Sequence, residues 1–198
     1  DNLRRHGVPV RRELPAVGTN FHDHPNVTLF FLGRQAVDCS YPQLYGFHRA
    51  NYQSGLPFEQ PDTCYVFYPA RSSLKQAAQR LLPGMLLPPR EAAARGKRLI
   101  RGAIDLAWHS EALRHFVERA YGIVLILGKP LSRGTVRLRS AEPRRQAVVD
   151  PAYLSAPEDL TTMVEGVKRA QRIAGAPALT TWGNRRLTCQ RFRPLCTG

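Results

Sequence analysis

Leu131 to Ile173 reads LSRGTVRLRSAEPRRQAVVDPAYLSAPEDLTTMVEGVKRAQRI, and it decides the fold because two strand signals lead directly into a capped amphipathic helix. Thr135 to Ser140 alternates Val136 and Leu138 with Thr135, Arg137 and Arg139, so one face is expected wet and the other buried. Ala141 to Arg145 reads as a turn into a further strand around Gln146 to Val149, and so short a connection implies antiparallel pairing. Ser155-Ala-Pro-Glu158 has the spacing of a capping box, in which the hydroxyl accepts an orphan amide hydrogen and the glutamate reciprocates. In the helix expected next, Leu160, Met163, Val164, Val167 and Ala170 form one apolar stripe, with Glu165, Lys168, Arg169 and Arg172 mainly elsewhere. Gly175 and Pro177 end it.

Working outward, Val27 to Leu32 and Thr63 to Tyr68 are rich in β-branched and aromatic residues and read as strands. Ile123 to Leu127, between Gly122 and Gly128, reads as a central strand. Ser72 to Leu82, and a longer run from about Arg90 to Tyr121, favour helix; Pro83 and Pro88-Pro89 interrupt them, and Ser110-Glu111 offers a fresh start. Residues 1–25 read as a helix end closed by Gly7, a short strand VPVRREL, and a turn-rich connector. Helices and strands interleave too irregularly for a βαβ series, and no internal repeat is present. The expected class is α+β, mainly an antiparallel sheet flanked by helices.

With 198 residues, 43% of them hydrophobic, the chain can bury one substantial core. Its densest apolar run, Tyr121 to Leu127, falls far short of the about eighteen residues that cross a bilayer, so no membrane span is expected. The start, DNLRRHGVPVRREL, has neither an initiator Met nor a signal-type apolar stretch, which points away from secretion and from a natural start site. The formal net charge is +14, yet only Lys75, Lys97, Lys129 and Lys168 are lysines and the arginines are scattered without a dense block. Arg-rich coding bias accounts for that better than specific nucleic-acid binding. Cys39, Cys64, Cys189 and Cys196 include no C-x-x-C pair, so free thiols in a reducing cytoplasm are expected, with a Cys189–Cys196 bridge the lesser alternative.

The chemistry-bearing motifs are mostly missing. None of the 15 glycines has another two residues away, so the tight turn that brings a dinucleotide pyrophosphate to a helix N-terminus is absent. No Gly-Lys-Ser/Thr phosphate loop occurs. Ser72-Ser-Leu-Lys75 lacks the partner motifs of a serine nucleophile, and Ser72 reads as a helix cap. His22-Asp23-His24 could be imagined as metal ligands, but no further group supplies the three or four converging donors required, so no metal is assigned. Tyr65 and Phe67 lie on one face of their strand and Tyr68 on the other; either face could wall a cavity, while core packing is the ordinary reason for such residues.

Two segments carry a family likeness. Leu131–Ile173 and Leu14–Pro25, LPAVGTNFHDHP, resemble the glucose-methanol-choline (GMC) oxidoreductases, most nearly the choline dehydrogenase-like branch. Val17, Gly18, Asn20, Asp23, His24 and Pro25 match V-G-x-N-L-x-D-H-P, with Phe21 where Leu is common. The likeness is specific in residues 11–25 and 131–175 and broad between them.

That resemblance implies a GMC substrate-binding domain, part of an enzyme that oxidises a small-molecule alcohol by hydride transfer to FAD. It implies a connector over 1–25 near the flavin, with Val17 and Asn20 as cofactor-binding residues. A substrate domain would follow over 26–184, in which Tyr65 and Phe67 border the substrate cavity, and a divergent tail over 185–198. Aromatic walls there bury hydrocarbon and can hold a quaternary ammonium. The family's Gly-x-Gly-x-x-Gly unit and its catalytic histidine segment have no counterpart here. No catalytic residue is therefore assigned among His6, His22, His24, His48, His109 and His115, and the chain alone is expected to bind no flavin and to be inactive. The alternative is a free-standing, non-catalytic basic binding module derived from the same domain.

Overall fold

The computed structural model describes residues 2–42, 44–87 and 94–187. In chain order the elements are α1 (Asn2–Arg5), β1 (Asn26–Leu32), β2 (Leu44–His48), β3 (Thr63–Pro69), a 3-10 turn (Ala70–Ser72), α2 (Leu74–Leu86), α3 (Ala94–Ala107), α4 (Glu111–Arg119), β4 (Ala120–Leu127), β5 (Thr135–Arg137), β6 (Val148–Asp150), α5 (Pro157–Ala174), α6 (Pro177–Thr181) and β7 (Arg185–Arg186). The chain divides into two compact units. The first comprises Asp1–Val27, Phe47–Cys64 and Ile126–Lys168; the second comprises Thr28–Gly46, Tyr65–Leu125 and Arg169–Gly198.

In the second unit lies most of a five-stranded sheet, ordered β2-β3-β4-β1-β7. Its centre is β4, where Ile123 and Leu125 are fully buried, as a near-continuous apolar run in an inner strand requires. Antiparallel pairing sets Phe31 opposite Arg186 and Leu32 opposite Arg185, and Leu187 N donates to Phe30 O at 2.9 Å. On one face Leu32, Ala70, Val117 and Ala120 form a buried cluster, joined by Leu74, Leu113 and Phe116 from the helices and Trp108 from the turn after α3. The first unit carries the antiparallel ribbon β5-β6, in which Val136 faces Val149. Among the described residues no helix is long and apolar enough to cross a membrane.

Several expectations needed correction. Residues 8–14 form no strand. β2 was not anticipated; Leu44, Tyr45 and Phe47 remain exposed on it, so it is a sheet edge made by pairing and not by burial of an apolar face. Ala120 and Tyr121, assigned to the end of the long helical run, begin β4 instead. Pro83 does not interrupt α2. A proline there leaves the Gln79 carbonyl without its intrahelical donor, and Arg101 Nε of α3 donates to that oxygen at 3.3 Å. Ser72 is no cap, since its hydroxyl donates to Pro69 O. Pro88-Pro89, the start of the second helical run, Cys189 and Cys196 lie outside the described residues, whereas Cys39 and Cys64 are free thiols.

The ribbon pairs as expected, but the face that carries Val136 is only partly covered: Val136 is half-buried, while Leu138 and Val149 are exposed. The buried face of α5 is also turned from the expected stripe. Leu160 and Val164 point to solvent, while Asp159, Thr162, Met163 and Ala170 are buried. Hydrogen-bond demand at Asp159 and Thr162 outweighs the burial of two aliphatic side chains. Truncating the sheet centre, Leu125→Ala, is expected to cost about 2–5 kcal/mol in a urea titration. Val149→Ala on the exposed ribbon is expected to stay within about 0.5 kcal/mol of the parent.

Candidate functional site

Leu14 to Pro25 forms a wound loop in the first unit, tightened by Val17 N donating to Leu14 O and Thr19 N to Ala16 O. Gly18 is left-handed at φ 79°, and Val136 N donates to its carbonyl at 2.9 Å. A first side-chain carbon on Gly18 would lie 2.4 Å from the Val136 carbonyl oxygen, so conformation and space both demand glycine. Phe21 and Gly134 exchange both backbone bonds, N to O at 3.2 Å and O to N at 2.6 Å. His24 Nδ1 donates to Leu127 O at 2.8 Å. The two sequence segments that carry the family likeness thus form a single hydrogen-bonded body.

Asp159 anchors the other side of that body. Its carboxylate, 2% exposed, accepts from Leu131 N at 2.8 Å, Ser132 N at 2.9 Å and the Ser132 hydroxyl at 2.5 Å. The Ser132 hydroxyl oxygen in turn accepts from Ala156 N at 3.0 Å, beside the start of α5. This corrects the capping box expected at Ser155–Glu158. Pro157, which has no N–H to satisfy, occupies the first helical position, and the hydroxyl comes from a distant segment instead of Ser155. Asn51 Nδ2 donates to Thr162 Oγ1 at 3.3 Å, tying the 49–62 loop to the same helix.

On this frame the Val17 side chain is 72% exposed, and Asn20 is exposed and left-handed at φ 55°, a conformation asparagine tolerates. His22, Asp23 and His24 point to different partners. His22 Nδ1 donates to Asn20 O at 3.1 Å, and Asp23 accepts from His24 N at 2.8 Å and from the Tyr153 hydroxyl at 2.6 Å. Ala152 and Leu154 on either side of Tyr153 are both left-handed, at φ 48° and 59°, so strained backbone holds that ring toward Asp23. The Tyr153 hydroxyl holds the Asp23 carboxyl below its usual 3.8, and Asp23 in return raises the Tyr153 hydroxyl above its usual 10.0.

A cavity of about 320 Å³ opens in the second unit, walled by Phe67, Tyr68, Tyr121 and Trp182 with Cys39 and Leu179 at its border. Phe67 and Tyr68 both reach it at the end of β3, whereas Tyr65 is buried and does not line it. Tyr121 stacks on Phe31 at 5.3 Å between ring centres and lies tilted against Trp182 at 5.8 Å. Its hydroxyl donates to Asn184 Oδ1 at 2.9 Å, and Asn184 Nδ2 donates to Ala174 O at 2.7 Å. Glycine at 33 admits the Trp182 ring, which would sit 2.1 Å from any added carbon. Burial pushes the Tyr121 hydroxyl up to about 12 and raises that of Tyr68, so both stay protonated at neutral pH and neither is a proton acceptor. Tyr121, Trp182 and Asn184 were not singled out from sequence; the aromatic-Gly-Asn cluster just beyond the α5 stop was the available signal.

Gly18→Ala is expected to destabilise the loop by on the order of 1–3 kcal/mol, read as faster hydrogen exchange at the Val136 amide. For the Asp23–Tyr153 pair the lowered carboxyl contributes stability that is complete above 3.8 and lost as pH falls through its depressed value. The raised phenol contributes stability that is complete below 10.0 and lost as pH rises through its elevated value. Tyr153→Phe is expected to lower stability across the plateau between them and to return Asp23 toward 3.8 in a carboxyl NMR titration.

A family model described as GMC oxidoreductase matches residues 130–193. Choline oxidase of Arthrobacter globiformis is 26% identical over 94% of this chain, and the alcohol dehydrogenase [acceptor] of Pseudomonas putida is 26% identical over 89%. Among solved structures, pyridoxine 4-oxidase from Mesorbium loti superimposes on 95% of the chain with a TM-score of 0.60 at 20% identity, a likeness of fold. The chain spans only 28% and 30% of the two curated relatives and 30% of that solved chain. The likeness to GMC oxidoreductases thus rests on the family model over residues 130–193 and on relatives that are 26% identical along most of the chain.

Proposed function

We propose that the chain supplies the substrate-binding portion, over residues 26–184, of an FAD-dependent oxidoreductase that oxidises an alcohol. Residues 1–25 form the connector at the flavin-side junction, and 185–198 form the tail, of which 185–193 still match the family model. The observation that carries this reading is the docking of Leu14–Pro25 onto Leu131–Val136 through Gly18, Phe21 and Gly134, which joins the two family segments. The choline oxidase and alcohol dehydrogenase relatives favour an alcohol substrate. The cysteines favour the cytoplasm, with Cys39 and Cys64 as free thiols.

The residues present fit one edge of a flavin and not the whole cofactor. Val17 and Asn20 stand exposed on a loop whose backbone is pinned at Gly18 and Phe21, a preorganised apolar and polar wall. The diphosphate of FAD needs a glycine-rich turn at a helix N-terminus, and no two glycines of this sequence stand two apart. When bound, the flavin supplies the hydride acceptor. The chain's own part is to shelter the substrate's hydrocarbon against Phe67, Tyr68, Tyr121 and Trp182 and to exclude water there. Neither cavity hydroxyl takes the alcohol proton, because burial keeps both protonated.

The purified chain is expected to show no flavin absorbance and no alcohol-dependent dye reduction. The adjoining coding sequence is expected to contain an in-frame Gly-x-Gly-x-x-Gly unit upstream and a histidine-bearing segment downstream. Stoichiometric flavin with turnover from the 198 residues alone would refute the proposal.

A further inference from the structure

We infer that the groove between the helices and the β1–β7 edge of the sheet is a binding site for an amphipathic monocarboxylate, of which a medium-chain fatty acid is the simplest form. The groove lies within the second unit and has a volume of about 610 Å³, inside the size range of small-molecule pockets. Leu74 of α2 and Phe116 of α4 wall it on the helix side, and Phe30, Ala120 and Leu187 on the sheet side. Leu74, Phe116 and Leu187 pack against the buried helix–sheet cluster, yet they are, like Phe30, only half-buried, so apolar surface is left facing a hollow. This is not the aromatic cavity of Phe67, Tyr121 and Trp182. Phe30 and Phe31 are neighbours along β1 and turn to opposite faces, and Phe31 is the ring that stacks on Tyr121.

Register selects the head group. Leu32 pairs with Arg185 and Phe31 with Arg186, and residues paired in an antiparallel ladder share a face. Arg185 therefore lies on the face of Leu32, which belongs to the cluster beside the groove, whereas Arg186 turns with Phe31 to the other face. Among the described residues Arg185 makes no ion pair, and no acidic residue lines the groove. One guanidinium at the edge of an apolar groove matches one negative charge on a hydrocarbon tail, and a guanidinium takes a carboxylate through two parallel hydrogen bonds. A neutral hydrocarbon would leave the cation without an anion. A polyanion would leave Phe30, Phe116 and Leu187 in water.

The test is an amide NMR titration of the full chain with hexanoate, octanoate and decanoate below their micellar concentrations, with acetate and decanol as controls. Affinity is expected to rise about threefold with each added methylene, and acetate to leave the spectrum unchanged. Shifts are expected at Phe30, Leu74, Phe116 and Leu187 and not at Phe67, Tyr121 and Trp182, so the outcome is separate from whether the aromatic cavity shelters an alcohol. Arg185→Gln is expected to weaken decanoate on the order of tenfold, to the level of decanol, and to leave decanol unchanged. Arg186→Gln, on the other face, is expected to change neither. The inference is overturned by no saturable decanoate binding, by shifts at the aromatic cavity in place of the groove, or by an affinity that Arg185→Gln leaves intact or that Arg186→Gln lowers equally. It is equally overturned by a dimer that buries the groove, or by contacts from residues 188–198 to the Phe116 ring in the ligand-free chain, since either makes the occupant polypeptide.

Discussion

The first unit is organised around the Asp159 carboxylate. An ionised carboxylate buried without partners would be prohibitively costly, and this one is balanced by two backbone N–H donors and a hydroxyl. Because the donors belong to Leu131 and Ser132, α5 cannot settle without placing the segment that leads into β5. That segment presents Gly134 and Val136 to the Leu14–Pro25 loop, so the position of Val17 and Asn20 is inherited from a charge on a helix far along the chain. Asp62 acts in a similar way on a smaller scale. It accepts from Ala50 N and Asn51 N, while the Arg49 guanidinium donates to Ser54 O and Pro57 O and closes the same loop.

The second unit contributes an aromatic cavity with the Cys39 thiol at its border. Its phenols are held protonated by the burial that makes the aromatic wall, so the feature that suits it to hydrocarbon also disqualifies its hydroxyls as bases.

Much of the scaffold was legible in the residues. β1, β3, the antiparallel β5-β6 pair, the α5 stop at Gly175 and the fresh helix at Glu111 all follow from period, β-branching and capping chemistry. The site was legible in part. Gly18 and Asn20 could be picked out by their motif, and both are left-handed. Phe67 and Tyr68 line the aromatic cavity, while Tyr65, read together with Phe67 from the strand alternation, is buried. Alternation along β3 cannot say where the strand ends and the cavity opens, and Tyr68 joins Phe67 there for that reason. Tyr121, Trp182 and Asn184 escaped notice because their meeting depends on Gly33 and on the fold between β1 and α6.

Local signals fail where a distant group satisfies a local need. Pro83 stays inside α2 because Arg101 takes the orphaned carbonyl, and α5 starts at Pro157 because Ser132 supplies the hydroxyl near its first turn. The outward turn of Leu160 and Val164 has the same origin, in buried acceptors at Asp159 and Thr162. The sequence by itself determined most of the element types, the antiparallel ribbon, the family likeness and the absence of a dinucleotide fingerprint, since these rest on spacing along the chain. Only the tertiary structure decided which helix faces are buried, which aromatic rings share a cavity and which loop is pinned, because hydrogen bonds and close packing join residues that no sequence period relates.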